Sequence, residues 1–273
     1  MRHWNKELRM NRLFDKSGKT VMVAMDHGQG GVKPGLAHPE KLLAALVESK
    51  PEALLLSGGM ARTYNYLFGR KDSPALVISS DFIVGSSIPQ QPGEIEELRQ
   101  SISVEECVRL GADAVKALLI FGRRDSRLQA DNMAYITSLA EECGRWNLPL
   151  IVEPTTWGAR FTDDIRRQVS LYADMARISA ELGADLVKCD YMGEPEEYQA
   201  VVDNCPVPVA ILGGAKAAPE SIADTIEKAA SCGVCGVVFG RNVWQSENPA
   251  QMVQALKAIT YRGDREEFLR LCR

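Results

Sequence analysis

The sequence predicts an α/β fold, a (β/α)8 TIM barrel formed as a single domain over residues 1–273. Eight short apolar runs alternate strictly with amphipathic runs, which indicates a parallel sheet whose strands are joined by helices. Eight such units at this chain length are typical of an α/β barrel. No linker is long or biased enough to divide the chain into two parts.

In the first half of the chain, turn residues separate the predicted strands from the helices. Pro39 begins one helix, because proline is favoured in a first turn, and Ser103 and Gly111 suit the two ends of another. Residues 81–93 are predicted as a long loop, of a length that usually carries function or covers a site. The predicted strands are 20–25, 53–56, 75–79 and 114–120, and the predicted helices are 39–49, 60–68, 103–111 and 127–146.

In the second half, each apolar run ends in a polar or glycine-rich turn that leads into the next helix. The predicted strands are 148–152, the run that carries Lys188, 207–212 and 234–239, and the predicted helices are 162–182, 195–202, 219–232 and 249–259. Short helices are also expected near the two ends, at about 5–13, where the helix would close one end of the barrel, and at about 264–272.

The bulk composition is that of an ordinary soluble globular protein, with 45% hydrophobic and 25% charged residues. The net charge of −4 and the lack of a long basic run argue against nucleic acid or an anionic membrane as the partner. No apolar stretch reaches the ~20 residues of a membrane span, and the N-terminus is too polar for a signal peptide. Seven scattered cysteines suit free thiols in a reducing cytoplasm, and the Cys232 and Cys235 pair is interpreted as core packing.

The stretch 183–190 (G-A-D-L-V-K-C-D) contains the most informative residue, Lys188. Because side chains alternate along a strand, Leu186, Lys188 and Asp190 share one face. A buried lysine is costly unless it is paired or used, and a desolvated amine that loses its proton can attack a carbonyl to form a Schiff base. The alternative is a lysine whose ammonium group reaches solvent. The phrase Gly-Ala-Asp also precedes a second strand lysine, Lys116.

Ionisable side chains follow several of the predicted strands. In a barrel of this kind the chemistry lies at the carboxyl ends of the strands, so these side chains are expected at one rim. They and the accompanying small residues are Asp26 and His27, Ser57 and Gly58, Lys116, Glu153 and Thr155, Lys188 and Asp190, Gly213 and Gly214, and Gly240 and Arg241. Carboxylate, amine and imidazole groups therefore converge on one candidate site, where Ser57 and Gly58 are predicted to bind substrate.

The glycine turns after the last two strands suit a phosphate cradle of backbone N–H groups, to which Arg241 would add charge, or they are simply tight turns. Asp26 would hold a neighbouring lysine or shuttle a proton, or else cap the next helix. The orientation of His27 is left open. Lys116 and Lys188 would weaken each other's hold on a proton and the carboxylates would strengthen it, and the sequence does not decide the balance.

The inventory of residue types disfavours several other chemistries. Only three histidines exist, all before the second strand, whereas zinc-dependent aldol chemistry uses several imidazoles or thiolates together. No Gly-x-Ser-x-Gly elbow for a nucleophilic serine is present. No Gly-x-Gly-x-x-Gly follows the first strand, so the dinucleotide fingerprint is missing. We therefore expect neither a metal nor a bound cofactor.

Five phrases taken together resemble the DeoC/FbaB class I aldolase family. They are 23–28 (V-A-M-D-H-G), 55–59 (L-L-S-G-G), 183–188 (G-A-D-L-V-K), 205–209 (C-P-V-P-V) with Gly213 and Gly214, and 240–245 (G-R-N-V-W-Q). The family includes archaeal-type fructose-bisphosphate aldolase, aminodideoxyheptulosonate synthase and a thiolase that degrades phosphorylated autoinducer-2. The stretches 203–208 and 240–249 look nearest to those of the thiolase.

The resemblance implies a barrel with Lys188 as the Schiff-base lysine, assisted by Asp26, and glycine turns around Gly213 and Gly240 that hold a phosphate. It also implies a small phosphorylated keto substrate and a homo-oligomer, a pentamer or a decamer. The sequence departs from the aldolase pattern on the fifth strand, where Thr155 stands in place of a proton-donating tyrosine. Glu153 is then the better proton donor, because a threonine hydroxyl is a much weaker acid than a phenol.

Three hypotheses follow from these residues. In the first, a Schiff-base aldolase uses Lys188, with Asp26 and Glu153 as the acid and base and Lys116 close by. In the second, Lys188 acts as a base or an electrostatic group in acyl transfer from a phosphorylated diketone to coenzyme A, which would then be a co-substrate. In the third, the barrel binds a sugar phosphate without catalysis.

Overall fold

The predicted barrel is present in the computed structural model, which describes residues 4–83 and 97–273. The strands are β1 (Thr20–Ala24), β2 (Ala53–Ser57), β3 (Ala75–Ser79), β4 (Asp81–Ile83), β5 (Leu98–Gln100), β6 (Ala114–Ile120), β7 (Leu150–Thr155), β8 (Leu186–Cys189), β9 (Val209–Leu212) and β10 (Gly236–Phe239). Eight of them close a parallel barrel in the order β1, β2, β3, β6, β7, β8, β9, β10, and β10 pairs with β1. The fold-class prediction is confirmed.

Helices connect the strands around the outside of this barrel. They are α1 (Trp4–Asn11), α2 (Pro39–Ser49), α3 (Gly58–Tyr64), α4 (Val104–Arg109), α5 (Ser126–Trp146), α6 (Asp163–Arg166), α7 (Val169–Glu181), α8 (Pro195–Asp203), α9 (Pro219–Ser231), α10 (Arg241–Trp244), α11 (Pro249–Arg262) and α12 (Arg265–Leu271). Single 3-10 turns cover Asp26–Gly30 and Asn65–Phe68. Among the described residues, no helix combines the length and the apolar character that crossing a bilayer requires.

Three predicted elements differ from the structure. The helix expected over 60–68 is α3 followed by the 3-10 turn Asn65–Phe68. The single helix expected over 162–182 is divided into α6 and α7, because Gln168 is extended and Arg166 donates to the backbone oxygen of Thr156 at 3.1 Å. That long-range contact fixes α6 against the turn after β7. The loop expected over 81–93 begins instead as β4, which pairs antiparallel with β5. Residues 84–93 of that prediction lie outside the described residues.

The barrel interior is filled by the inward-facing side chains of the strands. They form one apolar cluster, which comprises Met22, Ala24, Ala53, Leu55, Ala75, Val77, Ala114, Ile151, Leu186, Ala210 and Val238, with Leu13 beneath it. Leu13 is fully buried, so the segment that follows α1 closes the floor of the barrel. Val187 and Cys189 belong to the outer layer between strands and helices, and the predicted alternation along β8 is confirmed. Because this end of the barrel interior is filled by apolar side chains, inward-facing polar groups are placed toward the opposite rim.

Candidate active site

One carboxylate joins the two strand lysines at the carboxyl rim of the barrel. Oε2 of Glu153 lies 2.8 Å from Nζ of Lys116 and 3.0 Å from Nζ of Lys188. Lys116 faces inward on β6, Glu153 on the neighbouring β7 and Lys188 on β8, so adjacent strands place the three groups side by side. Their exposed fractions are 3%, 6% and 5%, respectively. Lys188 is therefore a buried, paired amine and does not extend into bulk solvent.

Asp26 adds a second carboxylate from the 3-10 turn after β1. Its Oδ2 lies 3.6 Å from Nζ of Lys116, across the mouth of the barrel. His27, whose orientation the sequence left open, lines the same cavity, and its Nδ1 lies 3.5 Å from Oδ1 of Asp26. The His27 ring also meets the ring of Trp244 edge-on, with 5.3 Å between centroids. Burial lowers the pKa of His27, which favours the neutral imidazole near pH 7.

In this cluster, neighbouring charges lower the pKa of Glu153 and raise the pKa of Lys116. Burial alone would raise the pKa of Glu153, but the adjacent Lys116 and Lys188 outweigh it and lower that pKa to about 2. Burial opposes the charge on Lys116, yet Glu153, Asp26 and Asp81 together raise the pKa of that amine above its usual value. Lys116 is therefore a fixed cation and Glu153 a fixed anion at neutral pH.

Two further carboxyl groups, the buried Asp81 and the half-buried Asp190, stand at the edge of the cluster. Asp81 is 1% exposed and accepts a hydrogen bond from the backbone N–H of Leu118 at 2.6 Å. Burial raises the pKa of Asp81 to about 6, against the opposing effect of Lys116. Burial likewise raises the pKa of Asp190 to about 6, with Glu153 acting in the same direction. Both groups are poised to titrate near neutral pH.

A cavity of about 240 Å³ opens above the lysines. One polar wall comes from the 3-10 turn after β1 and from Lys33 beyond it, whose ammonium group has no ion pair within the described part of the chain. The complete lining is Asp26, His27, Gln29, Gly30, Lys33, Ser79, Ile83, Lys116, Leu118, Glu153, Trp157 and Lys188. The volume suits a small substrate.

The predicted phosphate residues lie beside this cavity, on the turns after β9 and β10. Asn242 ties the two turns together, because its Nδ2 donates to the backbone oxygen of Gly213 at 2.7 Å and its Oδ1 accepts from the N–H of Ala217 at 2.9 Å. A Cβ at Gly240 would lie 2.7 Å from Cε1 of His27, so only glycine fits that close approach. Nε of Arg241 is buried and has no hydrogen-bond partner among the described residues.

Ser57 and Gly58, also predicted to bind substrate, do not join the lysine cavity. Oγ of Ser57 accepts a hydrogen bond from the N–H of Met60 at 3.3 Å, so this side chain caps α3. Both residues line a separate depression with Gln29, Gly59, Arg62, Phe82 and Ser101. The structure thus brings together Asp26, Lys116, Glu153 and Lys188, places the glycine turns next to them, and leaves Ser57 and Gly58 apart.

Sequence reasoning missed several residues of the cavity. Leu118 had a detectable signal, since it lies two residues after Lys116 on β6 and so faces the same side. Trp157 had none, because it lies beyond the end of β7, where side chains no longer alternate. Asp81 and Ile83 had none, because their position depends on the pairing of β4 with β5 across a long segment. Thr155, expected at the tyrosine position, is 1% exposed, and its Oγ1 has no hydrogen-bond partner in the described parts of the chain.

Comparison with known proteins gives a consistent family. A model of the DeoC/LacD family aldolases matches residues 20–246. An uncharacterized aldolase of Saccharolobus solfataricus is 31% identical over 272 residues, which are 97% of this chain and 98% of the relative. A 2-amino-3,7-dideoxy-D-threo-hept-6-ulosonate synthase of Archaeoglobus fulgidus is 30% identical over 94% of this chain and 91% of its own. The 3-hydroxy-5-phosphonooxypentane-2,4-dione thiolase of Escherichia coli is 27% identical over 96% and 84%, respectively.

Solved structures agree with these relatives. A Schiff-base-forming fructose-1,6-bisphosphate aldolase superposes with a TM-score of 0.80 and 27% sequence identity, covering 94% of this chain and all of that one. The sequence match and the structural match both span the barrel and its rim.

Proposed function

Because the chain belongs to the DeoC/LacD family of aldolases, we propose that it is a class I aldolase that cleaves or forms a C–C bond in a small phosphorylated keto compound. The observation that carries the proposal is the position of Lys188. Its amine is 5% exposed, lies 3.0 Å from the Glu153 carboxylate, and borders a cavity at the carboxyl rim of the barrel. A primary amine in that position is placed to attack a ketone in a largely water-free site.

The first step is the addition of the neutral Lys188 amine to the substrate carbonyl. Lys116 keeps its proton, because Glu153, Asp26 and Asp81 raise its pKa, so Lys188 is the amine available as a nucleophile. Loss of water from the adduct gives an iminium ion. This ion accepts the electron pair of the breaking C–C bond and becomes an enamine, and protonation of the enamine followed by hydrolysis frees the lysine.

Proton transfers in this scheme fall to Glu153 and Asp26. Glu153 already contacts the Lys188 nitrogen, so it can return a proton to the adduct oxygen that leaves as water. While both lysines are charged its pKa is about 2, which makes it a weak base. Once Lys188 is neutral, one of the two cations that stabilise the carboxylate is gone, and Glu153 becomes a stronger base at the moment a proton must be taken.

The substrate phosphate is assigned to the turns that contain Gly213, Gly214, Gly240 and Arg241. Backbone N–H groups and a guanidinium with an unpartnered, buried Nε are suitable donors for a phosphate. Their position after β9 and β10, beside Lys188 on β8, would place the ketone over the amine. No cofactor enters this scheme, and we propose that the enzyme needs no metal.

The second candidate is acyl transfer from a phosphorylated diketone to coenzyme A. Two observations make it the second candidate. One is the similarity to the Escherichia coli thiolase, whose name describes a phosphorylated dione. The other is Thr155, which replaces the tyrosine expected for the sugar-phosphate aldolases and is a poor proton donor. In this reaction Lys188 would act as a base or as a fixed charge.

Borohydride trapping separates these candidates. The protein is incubated with phosphorylated ketoses and diketones, with and without coenzyme A, then reduced and mapped by mass spectrometry, with Lys188→Met as the control. A class I aldolase acquires the mass of the ketone at Lys188 and turns over without coenzyme A. Turnover that requires coenzyme A, without an adduct, would favour acyl transfer, and binding without turnover would leave a non-catalytic barrel. Activity that persists in EDTA is expected under the metal-free scheme.

We also propose that the enzyme works in the cytoplasm as a homo-oligomer. All seven cysteines are free thiols, which suits a reducing compartment. The oligomer rests on the family resemblance alone, and the mass of the native protein measured by light scattering tests it.

A further inference from the structure

One side of the lysine cavity is apolar. Ile83 on β4 and Leu118 on β6 line it, and they are only 8% and 6% exposed. Behind them Leu98 and Ile120 complete a small apolar cluster, against which Tyr135 packs. The pairing of Ile83 with Leu98 in the β4–β5 ladder holds this wall over the barrel mouth.

Trp157 extends the wall from the turn after β7. The indole lines the cavity, and 43% of the residue is exposed. The one polar side chain among the described residues on this side of the lining, Ser79, donates its hydroxyl inward to Oδ1 of Asp81 at 3.4 Å. The wall therefore offers hydrophobic contact and few hydrogen bonds.

Leu118 on β6 and Ile83, whose strand β4 follows β3, lie across the barrel from the glycine turns, whereas Trp157 follows β7, two strands from β9. In the closed order of eight strands, β3 is four strands from β9 and β6 is four strands from β10, counted in either direction. Lys188 on β8 lies between the two sides. A substrate whose phosphate sits at Gly213 and Gly240 and whose ketone reaches Lys188 must point its far end at Ile83 and Leu118.

We infer that the fragment on the far side of the bond that is made or broken is a short apolar aldehyde and not a polyhydroxylated one. The inference rests on the proposed Schiff-base function and specifies its substrate. A hydroxyl pressed against this wall would lose its hydrogen bonds to water without replacement, which is unfavourable. An alkyl group would instead gain hydrophobic contact, about 0.8 kcal/mol for each buried CH₂.

The corresponding reaction balances without a further reagent. In the synthetic direction the phosphorylated ketone forms the iminium at Lys188 with loss of one water, and loss of its α-proton to a carboxylate gives the enamine. The enamine carbon bonds to the aldehyde carbon, the aldehyde oxygen takes up one proton, and one water hydrolyses the product iminium. Cleavage is the reverse and releases the apolar aldehyde.

A competition experiment tests this inference. The protein receives dihydroxyacetone phosphate as the donor probe, with equimolar propanal and glyceraldehyde, two acceptors of three carbons each. We expect the product ratio, which equals the ratio of kcat/KM, to favour propanal by at least about 10-fold. A ratio near one, or a preference for glyceraldehyde, would overturn the inference.

Borohydride trapping shows whether a negative result concerns the acceptor preference or the proposed aldolase function. Borohydride reduction with the donor alone reports whether Lys188 forms the iminium, before any acceptor is involved. An adduct at Lys188 together with a preference for glyceraldehyde would leave the aldolase proposal intact and reject only the apolar acceptor. If no phosphorylated ketone gives an adduct, the aldolase proposal fails and the inference fails with it.

A matched pair of variants assigns the preference to the wall. Ile83→Thr and Ile83→Val introduce side chains of the same shape, and only the first presents a hydroxyl. We expect the preference for propanal to fall by about 5- to 10-fold in Ile83→Thr and to persist in Ile83→Val. An equal change in both variants, or no change in either, would show that the polarity of this wall does not select the acceptor.

Discussion

Strands β6 and β8 are built alike. Each follows the phrase Gly-Ala-Asp, at residues 111–113 and 183–185, and each carries a lysine three positions after the aspartate. The Asp113 carboxylate accepts the N–H of Leu76 at 3.0 Å, and the Asp185 carboxylate accepts the N–H of Leu150 at 2.8 Å. In both cases the aspartate clamps the start of the neighbouring strand, so the same local device sets the height at which each lysine reaches the rim.

The N-terminal region forms an equivalent ion pair with the aspartate that precedes each of these two strands. Arg12 forms an ion pair with Asp113 at 2.8 Å, and Lys6 forms one with Asp185 at 2.7 Å. The same segment therefore fastens both strands at the floor of the barrel, far from the lysines.

At the rim, the surroundings of the two lysines differ. Lys116 is surrounded by three carboxyl groups, Glu153, Asp26 and Asp81, which together raise its pKa. Lys188 has a single carboxylate within ion-pair distance in the described structure, the Glu153 group that it shares with Lys116. The difference teaches that similar strands deliver two amines to the same rim, whereas the carboxyl groups around Lys116 stabilise the charged form of that amine.

Replacing each lysine in turn is the strongest test of this division. Lys188→Met should lose the borohydride adduct and at least about 10⁴-fold in kcat/KM, because it removes the nucleophile. Lys116→Met should still form an adduct at Lys188, with kcat lowered by about 10²- to 10³-fold through the loss of the fixed cation. Steady-state kinetics and peptide mapping of the adduct measure both effects.

Circular dichroism spectra of the two variants serve as the control, since removing one amine leaves Glu153 with a single buried partner. An adduct that appears at Lys116 in the native protein, or that survives in Lys188→Met, would reverse the assigned roles.

Much of this arrangement could be predicted from the sequence. The alternation of strands and helices gives the barrel, and the period of two along each strand gives the shared rim of Asp26, Lys116, Glu153 and Lys188. The charge balance could not be predicted, because it depends on which of several carboxylates lies within about 4 Å of each amine.

Contacts between distant segments explain the remaining misses. Asp81 and Ile83 reach the site only because β4 pairs with β5, and no local pattern signals that pairing. The division of α6 from α7 depends on Arg166, which binds backbone oxygen atoms of the turn after β7. Ser57, at the end of β2, caps α3 and lines a separate depression, and its contact with substrate stays a prediction.

The glycines of the repeated phrase allow a sharper comparison of the two strands. Gly111 and Gly183 both have positive φ, +86° and +105°, so alanine is strained at either position. A Cβ at Gly111 would meet no atom within 4 Å, whereas one at Gly183 would lie 2.6 Å from Cβ of Ala140.

We expect Gly111→Ala to lower the free energy of unfolding by about 1 to 2 kcal/mol from backbone strain. Gly183→Ala should lower the free energy of unfolding by a further amount of about 1 to 3 kcal/mol, because the added methyl group overpacks against α5. Urea denaturation of the two variants gives the difference. Equal losses would mean that α5 moves aside freely, and that the start of β8 is not packed more tightly than the start of β6.

A pH-dependent effect on stability is expected from Asp81, one of the carboxyl groups that raise the pKa of Lys116. Burial raises the pKa of Asp81 to about 6, so the folded state binds this proton more tightly than the unfolded state does. Its contribution to stability is full below the ordinary pKa of about 4 and is lost as the pH rises through 6. Asp81→Asn removes that titration and keeps an oxygen for the N–H of Leu118.

Relative to the native protein, Asp81→Asn should therefore gain about 2 to 3 kcal/mol in free energy of unfolding between pH 4 and pH 7. Asp131→Asn, at an exposed position on α5, is the control and should show no such trend. Paired urea titrations at several pH values measure the difference. If the relative free energy of unfolding shows no such gain, or rises as the pH falls, Asp81 stays ionised beside Lys116. Lys116 would then have a third charged carboxylate beside it, and the surroundings of the two lysines would differ even more in charge.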